Sequence, residues 1–171
     1  MKTTIEEIAL FFLTQNRELS RSVMTKLVYL VDYFYARQHG NQYTNIKWYY
    51  NHYGPFVEDV ENSIIDNIEV SVNKYDNTNL GSFFKYSGAA PVINEEDLLV
   101  VLNHVQDIYK SSQGFNDFIT YIYSTSPVRK TRQYDFIDIV KSVNEEKNEL
   151  LEEAWDDTVK VYGDVLTALA Q

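Results

Sequence analysis

His39, His52 and His104 are the first side chains to test for chemistry, because imidazole serves as both metal ligand and general base near neutral pH. None has a second histidine at helical ligand spacing, and only His104, with Asp107 three residues on, is followed by an acidic neighbour at i+3 or i+4. The chain has no cysteine, so disulfides and thiolate metal sites are excluded, and its 6 glycines form no phosphate-cradling loop. No serine sits in a nucleophile-elbow pattern. The carboxylates of the last segment are plentiful, but they read as a solvated face with no pocket to shift their pKa values. Arg129, Lys130 and Arg132, with Tyr134 beside them, form a basic cluster in what reads as a surface loop. Three charges do not outweigh a net charge of -10, so autonomous nucleic-acid binding is not expected. These residues predict no catalytic site, no metal and no cofactor.

What remains is contact chemistry. The 171 residues include 14 Tyr, 9 Phe and 2 Trp, side chains that serve equally well in cores and in docking surfaces. Charge divides unevenly: residues 1–50 hold six Lys/Arg against four Asp/Glu, and residues 51–171 hold nine against twenty-one. The acidic half suits a basic partner, and equally keeps a small domain soluble. The absence of cysteine is compatible with the reducing cytosol. The opening MKTTIEEIALFFLTQN is broken by Glu6 and Glu7 and falls short of the roughly 20 apolar residues that cross a bilayer, so it reads as an amphipathic helix.

Spacing sets the elements. Thr4 with Glu7 resembles a capping box, and Ile5, Ile8, Ala9, Phe12 and Leu13 make a buried stripe that ends near Asn16. Ser20 or Ser22 opens a second helix, with Val23, Leu27, Leu30, Val31 and Phe34 at helical spacing and His39-Gly40 at its end. Tyr29 and Tyr33 fall on its opposite side, so the helix must be sandwiched, by its own domain or by a partner. Residues 46–53 read as an aromatic strand that Gly54-Pro55 breaks, with a helix following over residues 56–67.

The runs IEVSV and SFFKY around DNTNLG predict a β-hairpin near residues 68–86. Asn94 with Glu95 and Glu96 should cap a helix carrying Leu98, Leu99, Val101, Leu102, Val105 and Ile108. Phe115, Phe118, Ile119 and Ile122 mark a short helix ending near Ser124, because Pro127 disfavours helical geometry in the residue before it. From Asn144 onward, Leu151, Trp155, Thr158, Tyr162, Val165 and Leu169 recur at alternating four- and three-residue spacing, a heptad-like seam with eight carboxylates against two lysines after residue 143. That seam fits packing on the domain, self-association, or insertion into a partner's groove; packing on the domain is the leading expectation. The expected fold is mainly α with a small antiparallel β element (α+β): one compact helical domain over residues 1–143, with an acidic C-terminal helix over residues 144–171 packed on it.

Tyr29, Asp32, Tyr33, Trp48, Tyr50 and Tyr53 are the candidate partner-binding residues, with Tyr49 beside them. Asp32 alternatively pairs internally with Lys26, Arg37 or Lys47. Gly54 and Pro55 are expected to set the angle between strand and helix. The segment KLVYLVDYFY, closed by Gly40 and followed by IKWYYNHYGPFVEDV, resembles the Panacea domain family, which includes the SocA-like antitoxins. FNDFITYIYSTSPV and Ile137 extend the likeness, so that it covers roughly residues 5–140. The resemblance implies a cytoplasmic, phage-associated type of antitoxin that silences a toxin protein encoded nearby, or that delivers a client to an energy-dependent protease.

Overall fold

The computed structural model describes residues 4–64, 68–75 and 79–169. In chain order they form α1 (Thr4–Gln15), β1 (Leu19–Ser20), α2 (Arg21–His39), β2 (Tyr49–Asn51), β3 (Gly54–Phe56), α3 (Asp59–Ile64), β4 (Glu69–Tyr75), β5 (Asn79–Lys85), α4 (Glu96–Ser111), α5 (Phe115–Ser124), α6 (Ser126–Lys130) and α7 (Ile139–Leu169). The chain is thus mainly α with a small antiparallel β element. No helix among the described residues is long and apolar enough to cross a membrane.

The architecture is organised around α2, which packs against α1, α3, α4, α5 and α7. Its sequence leaves little choice, because a helix that is apolar or aromatic nearly all round must be covered nearly all round. Met24, Leu27, Leu30 and Val31 are fully enclosed, in one continuous core with Phe12, Val101, Leu102, Phe118 and Ile139. Both ends follow the residue chemistry. The Ser20 Oγ accepts from Val23 N at 3.2 Å, and Gly40, at φ 79°, donates its N–H to Ala36 O at 2.9 Å. Asn16 closes α1 by donating to Phe12 O, and exchanges side-chain hydrogen bonds with Gln106 that tie α1 to α4.

The predicted hairpin is present, with Val70 opposite Phe84 and Val72 opposite Ser82; residues 76–78 of its turn lie outside the described residues. A third strand joins it. Leu19 and Ser20 pair with Phe84 and Phe83, giving the order β1-β5-β4.

Four expectations need correction. Gly54-Pro55 does not break a strand but belongs to one: β2 and β3 form a tight hairpin, with Tyr50 opposite Pro55 and Asn51 opposite Gly54. Neither His52 nor Tyr53 has a positive φ, whereas Gly54 has φ 89°, so Gly54 supplies the left-handed residue that closes the loop. Pro55 fits because the N–H and C=O of Tyr50 point the other way, toward residues 134 and 135, so the ladder asks no donor of Pro55. The next helix therefore begins only at Asp59, and residues 65–67 of the expected span lie outside the described residues.

Asn94 does not cap α4; Glu95 holds the N-cap position, and its carboxylate accepts from the Tyr35 and Tyr43 hydroxyls at 2.8 and 3.0 Å instead of from the helix. The helix α5 ends at Ser124 as expected, but Pro127 then sits in the first turn of α6, where its missing N–H has no partner to lose, so Arg129 and Lys130 lie on a helix and not in a loop. Lastly, α7 starts at Ile139 and runs unbroken through residues 143 and 144. Ile139 and Val143 are buried, but residues 147–160 and Tyr162 are exposed on every side, so the described part of the seam does not pack on the domain.

Candidate protein-docking surface

Asp32 is fully enclosed and faces no cation. Its Oδ1 accepts from Thr44 N at 2.7 Å; its Oδ2 accepts from Thr44 Oγ1 at 2.6 Å, Trp48 Nε1 at 2.8 Å and Gln42 Nε2 at 3.3 Å. Burial pushes the carboxyl above its ordinary range, and the hydrogen bonds from Thr44, Trp48 and Gln42 draw it part of the way back. The expected ion pair with Lys26, Arg37 or Lys47 is absent, because neutral donors already saturate the carboxylate. Arg37 instead lies over the Tyr33 ring and donates to its hydroxyl at 3.3 Å. The role of Asp32 is positional: it fastens the loop after α2 and the start of the β2 segment to the middle of α2.

The aromatic residues divide sharply. Trp48 and Tyr29 are fully buried and meet edge to face with centroids 5.5 Å apart. Thr125 already donates to Ile122 O, so the Tyr29 hydroxyl donates to Thr125 Oγ1 at 2.8 Å. Burial raises the Tyr29 phenol well above its usual range, which keeps it a donor at all physiological pH. Tyr33 is buried too, stacked at 6.4 Å from Tyr29. Tyr29, Asp32, Tyr33 and Trp48, expected as partner contacts, thus lie inside the domain: of the two ways to cover an all-round apolar helix, its own chain supplies the cover. Tyr50 is half-buried with its ring 6.3 Å from that of Tyr123.

Tyr53 is different, with 75% of its surface exposed at the tip of the β2–β3 hairpin. The ring of His52 lies 6.3 Å from that of Tyr53, and Phe136, which has no signal in the sequence, enters the same region. The segment after α6 lies along β2, with Tyr134 N donating to Tyr50 O at 2.6 Å, Tyr50 N to Asp135 O at 2.9 Å and Ile137 N to Trp48 O at 2.9 Å. This pairing brings Phe136, 72% exposed, edge-on to Tyr49 at 5.7 Å, and Tyr134 edge-on to His52 at 5.2 Å, with a 2.8 Å bond between the Tyr134 hydroxyl and His52 Nδ1. Tyr134 adopts φ 73°, the one non-glycine residue in the left-handed region among those described. Tyr49 with Phe136, and His52 with Tyr53 and Tyr134, therefore place two groups of rings along one strand pairing, a ring-bearing surface held by Trp48 and Asp32.

A family model described as Antitoxin SocA-like, Panacea domain, matches residues 24–171. The chain belongs to this family. The span takes in α7 and leaves out α1 and β1, in contrast to the expected coverage of roughly residues 5–140. It includes the whole ring-bearing surface of this Panacea domain. Neither the comparison with curated proteins nor that with solved structures returned a match.

The Panacea domain also has a groove of about 830 Å³ between β1, the start of α2 and the α4–α5 connection, lined by Ser20, Arg21, Phe83, Tyr109 and Phe115 among others. Among the described lining residues the one carboxylate, Glu18, is paired with Lys85 at 3.2 Å, and Arg21 is paired with Glu61 at 2.8 Å. The groove offers no pair of acids or histidines with which to do general acid–base work. Among the described residues no group of three or more His, Cys, Asp or Glu is placed to hold a metal. The basic cluster is partly spent internally, since Lys130 donates to Glu149 at 2.7 Å and lies 3.5 Å from Glu145.

Proposed function

We propose that this chain is a cytoplasmic antitoxin that silences a toxin protein by direct contact, and that the surface of Tyr49, His52, Tyr53, Tyr134 and Phe136 is where the toxin docks. One observation carries the reading: Tyr53 and Phe136 are 75% and 72% exposed on a backbone fixed by inter-strand hydrogen bonds. Single exposed apolar side chains are ordinary, but neighbouring groups of rings on a hydrogen-bonded support are the makeup of interface hot spots. The net charge of -10 adds complementarity to a basic toxin and speeds encounter with it. Membership of the SocA-like antitoxin family supports the role in general terms.

The test is co-expression with the product of the adjacent gene in its host. Rescue of growth by the wild-type chain, lost in Tyr53→Ala/Phe136→Ala while the variant keeps its unfolding midpoint, is the expected result. Absence of rescue by the wild type overturns the reading. The amount of toxin separates sequestration from delivery to a protease: it holds steady or rises under sequestration and falls under delivery.

A further inference from the structure

From residue 147 to Tyr162, α7 runs clear of the domain, and its apolar side chains are uncovered: Leu151, Trp155, Val159 and Tyr162 are all more than half exposed. A helix without a packed face is marginal in water, so this segment lacks the support that tertiary contact gives the rest of the fold. At 100° per residue, Leu151, Trp155, Thr158 and Tyr162 form one stripe, roughly 140° around the helix from Ile139, Ser142, Val143 and Glu146, which face the body of the domain. The stripe therefore faces away from its own core and cannot fold back onto it.

We infer that this stripe is covered by the same stripe of a second copy, in a parallel two-stranded coiled coil. The heptad register commits to that occupant. With Leu151 and Thr158 at d, Asn148, Trp155 and Tyr162 fall at a, and a buried a-position asparagine pair is the device that fixes a parallel, in-register dimer. Lys147 falls at g and Glu152 at e, so each Lys147 meets the partner's Glu152 across the seam in the parallel arrangement. Neither residue has an ion-pair partner within its own chain among the described residues, whereas Glu145, Glu146 and Glu149 are engaged by Lys130 and Ser126. The remaining acids, Glu153, Asp156 and Asp157, occupy the outer positions and leave the seam free of like charge. Leu151, Trp155, Val159 and Tyr162 offer on the order of 500 Å² per copy, so the pair reaches the roughly 1,000 Å² of a specific interface. Because each body lies well away from its own stripe, two bodies at the same end of the coil occupy opposite flanks.

Sedimentation equilibrium of the full chain tests this. The expected result is a monomer–dimer equilibrium that Trp155→Glu weakens about 30-fold or more with no change in the unfolding midpoint of the domain, position 155 being outside the core. Lys147→Glu should weaken the dimer, and Lys147→Glu/Glu152→Lys should restore it. A chain that stays monomeric up to the sub-millimolar range, or a dimer indifferent to Trp155→Glu, overturns the inference. A dimer in which the double charge swap fails to rescue Lys147→Glu overturns the parallel register.

Discussion

Trp48 joins the buried and exposed halves of the site: its indole N–H donates to Asp32 Oδ2 at 2.8 Å, while its own carbonyl accepts from Ile137 N at 2.9 Å. Core and ring-bearing surface thus share one residue. Asp32→Ala orphans the Thr44 N–H, the Thr44 hydroxyl and the Trp48 indole at once, and should cost about 3 kcal/mol or more. Asp32→Asn turns one acceptor into a donor facing another donor and should cost about 1–3 kcal/mol. Urea unfolding reads both. The pH dependence has a definite sign. The native carboxyl holds its proton above the ordinary 3.8, so between 3.8 and its raised native value the folded state binds more protons, and stability falls as pH rises through that window. Asp32→Asn should remove that slope.

Lys26 gives the opposite slope. It is 3% exposed, and burial lowers its pKa from 10.5 to about 8. Below pH 8 both states are protonated and the folded one bears the full desolvation penalty. Between about 8 and 10.5 the unfolded chain holds the extra proton, so stability rises with pH. Lys26→Met should therefore stabilise the domain at pH 7 by up to about 3 kcal/mol and flatten the rise between pH 7 and 9.5. Paired urea titrations of wild type and variant isolate the lysine from tyrosine ionisation, which both proteins share.

Gly54 carries a conformational demand and not a steric one. A Cβ there meets nothing closer than Tyr123 Cε1 at 3.7 Å, yet φ is 89°. Gly54→Ala should cost about 1–2 kcal/mol from backbone alone, and Gly54→Asn less, because asparagine tolerates the left-handed region better. Equal costs for the two variants, measured by thermal or urea unfolding, would point to crowding and not to φ.

Local signals were enough to place much of this fold. The Ser20 cap and Gly40 stop bound α2, and the β-branched and aromatic runs around a polar turn mark β4 and β5, because each depends on residues a few positions apart. Long-range pairing was not legible. The two-residue β1 has no pattern of its own, and His52 and Tyr134 meet from 82 residues apart. The tyrosines and tryptophan of residues 29–53 were visible as a group, but which of them faced inward depended on Thr125, Phe136 and Ile137, which pack against them from the far half of the chain. Likewise the α7 seam was readable as a seam, whereas its direction away from the body followed only from which residues of its first turns are buried.

Tyr134 supplies a test in which glycine should be better than alanine. Its φ of 73° is strained for any residue with a Cβ, and the strain persists because Tyr134 N is bonded to Tyr50 O and the ring is held by His52. Tyr134→Ala loses the ring contacts and keeps the strain, and should destabilise by about 1–2 kcal/mol. Tyr134→Gly loses the same contacts but relieves the backbone, so it should lie within about 1 kcal/mol of wild type despite the greater entropy of glycine in the unfolded chain. Unfolding curves in which glycine is worse than alanine would contradict a left-handed Tyr134. Because both variants remove the same ring, equal loss of the proposed toxin neutralisation by the two, despite their unequal stability, would assign that loss to the proposed docking surface and not to the fold.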